Sequence, residues 1–513
     1  VTFSQLRQRS CAAANVLLGL GVRPGDTVAL FAATCPEWVY FWLGAARMHA
    51  VPAAVNVANK GDFLLHALRL AQARVVLTDP ERYPRTVEVI DGLETVNTIL
   101  VAPDPPPGPL GPAGTAMHGV TRLLGNAPTR LAAVPAPPGC DRVGALFFTS
   151  GTTGPSKAVA TNWNYLFSVA ARAASAWEFS AGEVVWSAMP LFHLSAAPLI
   201  LAPMLVGGTT VLSPAFRPSE VWDDIRACRA VGFVGAGAMV SMLLHQPPDP
   251  RDAELPLRFI SAAPIAAEMY PTIKQRYRCR IVTMYGLTEA FPIALKAVGD
   301  DDVPGASGRP NPDFDVRVVD ADLQSRPAGE VGEIACRPRL PNVMSMGYLA
   351  DLADPADPAD LAGRPGLPVS PHDEWFRTGD LGILDAQGNL TYVDRLKDSL
   401  RRRGENISSV EVETTVMGHP AVAEAAAVGI PSDLGEDDIL VVVSLRDGAV
   451  MDYAEFLDFC SARMPYFCVP RYVEVLEEIP KNPIGRVRKD LLRSRGLGSG
   501  AWDRERHHYI VSR

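Results

Sequence analysis

Apolar residues recur at helical spacing from Ser4 to Leu20, and Gly21 ends the run. The short apolar stretch Thr27-Val-Ala-Leu-Phe31 reads as a buried strand. The pattern then predicts a helix around Trp38 to His49, a strand near Ala53, a helix from about Asp62 to Ala73 and a strand over Arg74-Val-Val-Leu-Thr78. Strands separated by helices of this length imply parallel sheets with helices on their faces.

Residues Ala102 to Gly139 are rich in Pro and Gly and read as a long irregular connection. A second αβ series runs from Val143 to about Leu295. After Gly305 the pattern turns to short strands with turn signals, such as Asp315-Val-Arg-Val-Val-Asp320 and Gly332-Glu-Ile-Ala-Cys336, which predicts a β-rich subdomain. Asp351 to Asp360 reads as an exposed acidic loop. Beyond Asp394 the chain is more charged, and 398–513 is long enough to form a separate α+β domain. No internal repeat is visible.

Composition narrows the function. The chain has 513 residues, 48% apolar and 20% charged, the balance of a soluble globular protein of several domains or one large enzyme. A net charge of −9 argues against a dedicated binder of nucleic acid or anionic membrane. Eight scattered cysteines without a CxxC spacing read as reduced thiols of a cytoplasmic protein, against a zinc site or a disulfide scaffold. No signal peptide opens the chain, and because Val1 is not an initiator residue, a leading segment is expected to have been trimmed. Val184 to Phe216 carries no Lys, Arg, Asp or Glu, yet Pro190, Pro198, Pro203, Gly207, Gly208 and Pro214 interrupt it. A membrane span needs about 20 continuous apolar residues, so this stretch reads as strand, loop, short helix and strand.

The strongest local signal is Phe147-Phe-Thr-Ser-Gly-Thr-Thr-Gly-Pro-Ser-Lys157. An apolar strand enters a loop whose glycines admit backbone N–H groups to a phosphate, while hydroxyls add donors and Lys157 adds charge. The Walker spacing is absent. Thr149, Ser150, Gly151, Thr152, Thr153, Gly154 and Lys157 are therefore candidate phosphate ligands; the plainer alternative is a turn between two strands.

With this loop and the motifs that follow it in order, the chain resembles the adenylate-forming superfamily, best the acyl-CoA synthetase branch, from Thr2 nearly to its end. Tyr285-Gly-Leu-Thr-Glu289 is similar to the family's adenine and magnesium motif, which implies that Tyr285 packs on adenine, Thr288 binds phosphate and Glu289 ligates Mg²⁺. Alone, that Glu would read as a helix cap. Gly332-Glu-Ile with Met346-Gly-Tyr348 resembles a structural motif and is assigned no chemistry. Trp375-Phe-Arg-Thr-Gly-Asp380 resembles the ribose motif, with Asp380 accepting from both ribose hydroxyls. Asp394-Arg-Leu-Lys-Asp398 resembles the interdomain hinge, with Arg395 near the ribose and Lys397 as pivot.

Arg401-Arg-Arg-Gly-Glu-Asn-Ile407 would alone be a solvated basic turn; after a hinge it resembles the loop that enters the site for thioester formation, with Gly404 lining the pantetheine channel. Pro190-Leu-Phe-His193 makes His193 the candidate at the carboxylate end, against a His satisfied in the core. Gly235, Ala236, Gly237, Ala238 and Met239, with Ser261, Ala262 and Ala263, resemble walls of an acyl pocket, where small side chains leave volume for a bulky acid or reflect close packing. The last motif departs from the family. In Pro480-Lys-Asn-Pro-Ile-Gly-Arg-Val-Arg-Lys489 the position after the Gly, ordinarily a catalytic Lys, is Arg486. A planar guanidinium does not substitute conservatively for an ammonium. Lys489 and Lys481 are the nearby alternatives.

The implied fold is α/β: a large N-terminal domain (1–396) of layered α/β sheets plus a β-rich subdomain, a hinge at 397, and a small mobile α+β domain (398–513). The implied partners are a carboxylic acid or its adenylate, ATP, Mg²⁺ and coenzyme A. Arg486 suggests weak adenylation with retained thioesterification, and hence a separate adenylating enzyme as partner; a homodimer is admitted but not required. The alternatives are a complete two-step synthetase and a non-catalytic acyl-adenylate-binding relative. A peptide-synthetase module is disfavoured because no Asp lies near His193, whereas a luciferase-like oxygenase would need a special acyl substrate. Usage rich in Ala, Arg and Pro hints at a high-GC genome, compatible with specialised metabolism.

Overall fold

The strand Thr27–Phe31 is buried at every position, as a strand covered by helices on both faces must be. The computed structural model describes residues 1–104, 115–131, 142–149, 156–349, 374–395, 399–403, 405–432, 436–480 and 487–511. Among them, an eight-stranded sheet runs in the spatial order Gly347–Tyr348, Lys157–Thr161, Ala145–Thr149, Val51–Ala54, Thr27–Phe31, Ala73–Thr78, Thr98–Val101, Ala116–Gly119. Its six strands from Ala145–Thr149 to Ala116–Gly119 are parallel, and Lys157–Thr161 and Gly347–Tyr348 add an antiparallel edge.

The predicted N-terminal helices form close to where the pattern put them. Phe3–Gly19 starts on a capping box between Thr2 and Gln5. Pro36–Arg47 opens with a proline in its first turn and buries Trp38, Phe41 and Trp42. Side chains of that size each stabilise the fold by about 1.5–3 kcal/mol when removed from water.

A second sheet of seven strands has a parallel centre, in the order Arg280–Tyr285, Phe259–Ala263, Gly232–Ala236, Val184–Ser187, Thr209–Leu212. The uncharged stretch around Pro190 resolves as expected into strand Val184–Ser187, a short 3₁₀ turn, helix Ala197–Val206 and strand Thr209–Leu212. No described helix is long and apolar enough to cross a membrane. The β-rich subdomain is an antiparallel four-stranded sheet, Phe314–Val319, Val331–Pro338, Phe376–Leu384, Leu390–Arg395. The small C-terminal domain holds the hairpin Ser399–Arg402 with Glu405–Ser408 and a separate four-stranded sheet.

One expectation needs correction. The described part of the stretch read as irregular contains strand Ala116–Gly119 and helix Val120–Asn126. Its Pro- and Gly-rich composition hid a short unit that extends the first sheet and buries Val120 and Leu124.

Candidate active site

Three parallel strands of the second sheet end close together: Gly235 lies beside Ala262, Ala236 beside Ala263, and Val234 beside Ser187. Their carboxyl ends form one edge, where ligands of open α/β sheets bind. Tyr285, the last residue of its strand, reaches this edge.

After Tyr285 the chain closes a tight turn, with reciprocal backbone bonds between Leu287 and Ala290. A Cβ at Gly286 would lie 2.4 Å from the Ala290 carbonyl, so only glycine fits there. The Tyr285 hydroxyl donates to Asp380 Oδ2 at 2.9 Å, joining the second sheet to the β-rich subdomain. Both residues are buried. Burial first, and the neighbouring Asp380 charge second, push the Tyr285 phenol well above its ordinary pKa, so it stays a proton donor. The main chain of Arg395 is the cross-strand partner of Asp380.

The Thr288 carbonyl accepts from the buried Tyr165 hydroxyl at 3.2 Å. Glu289 is 6% exposed, and its Oε1 accepts from the Tyr348 hydroxyl at 2.7 Å. The Lys157 ammonium sits 4.4 Å above the Tyr348 ring. Tyr348 is thus a site residue that the sequence reading left without chemistry. Its motif was visible, but only the pairing of Gly347–Tyr348 with Lys157–Thr161 reveals what the hydroxyl meets. Thr149 and Lys157 are register partners on the two strands that flank the candidate phosphate loop.

A second group of contacts crosses between the domains. His193 Nε2 lies 3.1 Å from Glu405 Oε1, and Asn56 Nδ2 donates to Glu405 Oε2 at 3.5 Å. The Ser156 amide donates to Glu411 Oε1 at 2.7 Å, and the Ser156 carbonyl meets His66 Nε2 at 2.8 Å. Burial raises the Glu411 pKa above the ordinary carboxylate value. Glu405 and Glu411 were missed; the only available signal was that Glu405 directly follows Gly404.

Not every candidate reaches the site. Lys489 Nζ pairs with Glu413 at 2.5 Å and donates to Ser409 at 2.8 Å, both inside the small domain. Arg402 is buried, donating to the Val469 carbonyl and pairing with Asp438. Among the small wall residues, Gly237 serves packing, since a Cβ there would collide with the Pro264 carbonyl at 1.8 Å. The Ser261 hydroxyl accepts from the Trp177 indole at 3.0 Å in the core. Gly235, Ala236, Ala238, Met239 and Ala263 are half-buried, and Ala262 is buried. Ser150, Gly151, Thr152, Thr153, Gly154, Lys397, Gly404, Lys481 and Arg486 lie outside the described residues.

A nucleotide fits this donor set: a buried carboxylate for hydroxyls, a tyrosine face at the strand end, and a carboxylate and an ammonium sharing Tyr348. No group of three or more His, Cys, Asp or Glu side chains placed to hold a metal ion occurs among the described residues. Mg²⁺ suits such a place, because it takes one or two carboxylates and completes its shell with phosphate oxygens and water.

The family model for AMP-binding enzymes matches residues 1–349, and that for the AMP-binding enzyme C-terminal domain matches 411–486. The chain belongs to the AMP-binding enzyme family, within its acyl-CoA ligase relatives, and such ligases use ATP, Mg²⁺ and coenzyme A. It is 28% identical to a crotonobetaine/carnitine–CoA ligase of Salmonella paratyphi B over 504 residues, 96% of this chain and 93% of the relative. The amide bond synthetase McbA from Marinactinospora thermotolerans superposes with a TM-score of 0.79 at 25% identity, covering 96% of this chain and 95% of that one. A double mutant of o-succinylbenzoate CoA synthetase (MenE) from Bacillus subtilis shares the fold, with a TM-score of 0.79 at 23% identity over 97% and 94% of the two chains.

Proposed function

We propose that this chain is a carboxylate–CoA ligase specialised for its second half-reaction, converting an acyl-AMP and coenzyme A to acyl-CoA and AMP while making acyl-AMP poorly. The carrying observation is the contact of Glu405 with His193 alongside the retention of Lys489 by Glu413 and Ser409. The thioester-side hairpin lies against the acyl segment, while Lys489, a cation that could stand in for Arg486, is engaged by Glu413 and Ser409. Residue 397 is the hinge between 1–396 and 398–513.

In this reading Asp380 and Tyr285 hold the nucleotide, Lys157, Thr149, Ser150 to Gly154 and Thr288 hold phosphate, and Glu289 ligates Mg²⁺. Arg395 sits near the ribose, and His193 lies at the carboxylate end. Mg²⁺ neutralises phosphate charge during acid activation. For thioesterification the acyl group is already activated, so the protein mainly positions the thiol beside Gly404 and excludes water. If the family Lys supplied stabilisation like that of one oxyanion donor, its loss would slow adenylation by about 10²–10³.

Paired assays test the reading. Pyrophosphate exchange with a panel of acids should be slow, turnover of preformed acyl-AMP with CoA brisk, and Arg486→Lys should restore exchange. Brisk exchange in the unaltered protein refutes the half-reaction and leaves a complete two-step synthetase. Failure of both assays across the panel favours the non-catalytic relative. The acyl pocket has its own test: Ala238→Trp should abolish turnover of bulky acyl-AMPs and spare small ones. Equal loss on all of them would report overpacking instead.

A further inference from the structure

A cavity of about 490 Å³ opens far from the site just described. It is lined by Arg7 and Cys11 of the helix Phe3–Gly19, by Arg47 at the end of Pro36–Arg47, by His49 just beyond it, and by Arg130. The His49 carbonyl accepts from the Gly25 amide two residues before strand Thr27–Phe31, and strand Val51–Ala54 starts two residues after His49. The cavity therefore lies at the amino ends of these parallel strands. Asn56, which reaches Glu405, follows their carboxyl ends on the opposite edge of the sheet.

No Asp or Glu among the described residues lines the cavity. Among the described residues, none of Arg7, Arg47 and Arg130 is ion-paired with a carboxylate, although Asp and Glu outnumber Lys and Arg 57 to 48 in the chain. Arg47 is anchored: its Nε donates to the hydroxyl of Ser10 at 2.8 Å, and Ser10 is fully buried. Unpaired guanidiniums gathered around one concavity repel each other until an anion neutralises them. Their planar forks match phosphate oxygens two at a time.

We propose that this cavity binds a small oligophosphate, with Arg47 as the fixed cation and the exposed Arg7 and Arg130 as its walls. Its volume falls in the range of roughly 300–1,000 Å³ typical of small-molecule sites. That is room for two linked phosphoryl groups. Inorganic pyrophosphate and a nucleoside diphosphate share this chemistry.

Calorimetric titration of the full chain, in low salt without Mg²⁺, tests the assignment with inorganic pyrophosphate in one arm and adenosine diphosphate in the other. A binding component should weaken about tenfold or more in Arg47→Ala and in Arg130→Ala, and persist in Asp380→Ala. The arm with the tighter Asp380-independent component identifies the source. Arg130 is exposed, so its variant guards against a folding defect at Arg47, and unchanged melting of both variants completes that control. Absence of any such component in the unaltered protein overturns the proposal. So does a component that survives both arginine substitutions or disappears with Asp380. The nucleotide-site reading can fail separately, through an Asp380→Ala variant that binds acyl-AMP normally.

Discussion

The nucleotide side and the acceptor side of the site are built by opposite means. Tyr285, Glu289 and Asp380 are 9%, 6% and 3% exposed, and hydrogen bonds between secondary-structure elements of the large domain lock them in place. On the acceptor side, the His193 and Glu405 side chains retain 29% and 15% exposure and belong to different domains. A buried hydrogen-bonded carboxylate is costly to disturb, because its partner is left unsatisfied. A partly exposed polar contact of this kind is worth about 0–1 kcal/mol. Under the proposed function that difference would suit a site used twice: strong contacts would hold the nucleotide through both steps, and weak ones would let the small domain leave and return.

Asp380→Ala should have the largest effect. It removes the acceptor of the Tyr285 hydroxyl and strands the ribose, and bonds to a charged group are worth about 1.5–3 kcal/mol, so affinity for an acyl-AMP analogue falls roughly ten- to a hundredfold. Calorimetry showing unchanged affinity would remove Asp380 from the site and erase the contrast. Glu405→Gln comes next. It keeps the shape and removes the charge facing His193, so turnover of acyl-AMP with CoA should fall by up to about fivefold. Pyrophosphate exchange should hold steady. An equal fall in both rates would mean that Glu405 supports the fold and not the acceptor geometry.

The same division decided what could be read from the sequence. Short apolar strands between helices identify themselves by period and length, so Thr27–Phe31 and its neighbours were legible. The motif around Tyr285 was legible because a turn that admits only glycine at 286 constrains its neighbours. Strand Ala116–Gly119 was not, since its few residues lie in a stretch whose Pro and Gly content imitates a loop. Tyr348 and Glu411 were not, because their partners Glu289 and Ser156 lie 59 and 255 residues away in the chain. Lys489 looked free to serve catalysis; only the packing of its helix beside Glu413 shows it engaged.

The smallest effect sharpens the comparison most, because it asks whether the domain contact senses protons. Glu411 accepts from the Ser156 amide, and burial raises its pKa in the folded state. The folded state therefore binds the Glu411 proton more tightly than the unfolded state does. Its contribution to stability is fully present below the ordinary carboxylate pKa and is lost as pH rises through the raised value. Glu411→Gln imitates the protonated acid and keeps an oxygen to accept from Ser156. The variant should match the unaltered protein at low pH and melt progressively higher than it as pH climbs through that window. The gain is the cost of burying an ionised carboxylate, which the neutral amide escapes while still accepting from the Ser156 amide. Melting curves of the two proteins at several pH values isolate this group, since every other titrating residue is common to both. A difference that stays flat with pH means the contact is open in solution, with Glu411 in water and the small domain turned away from Ser156.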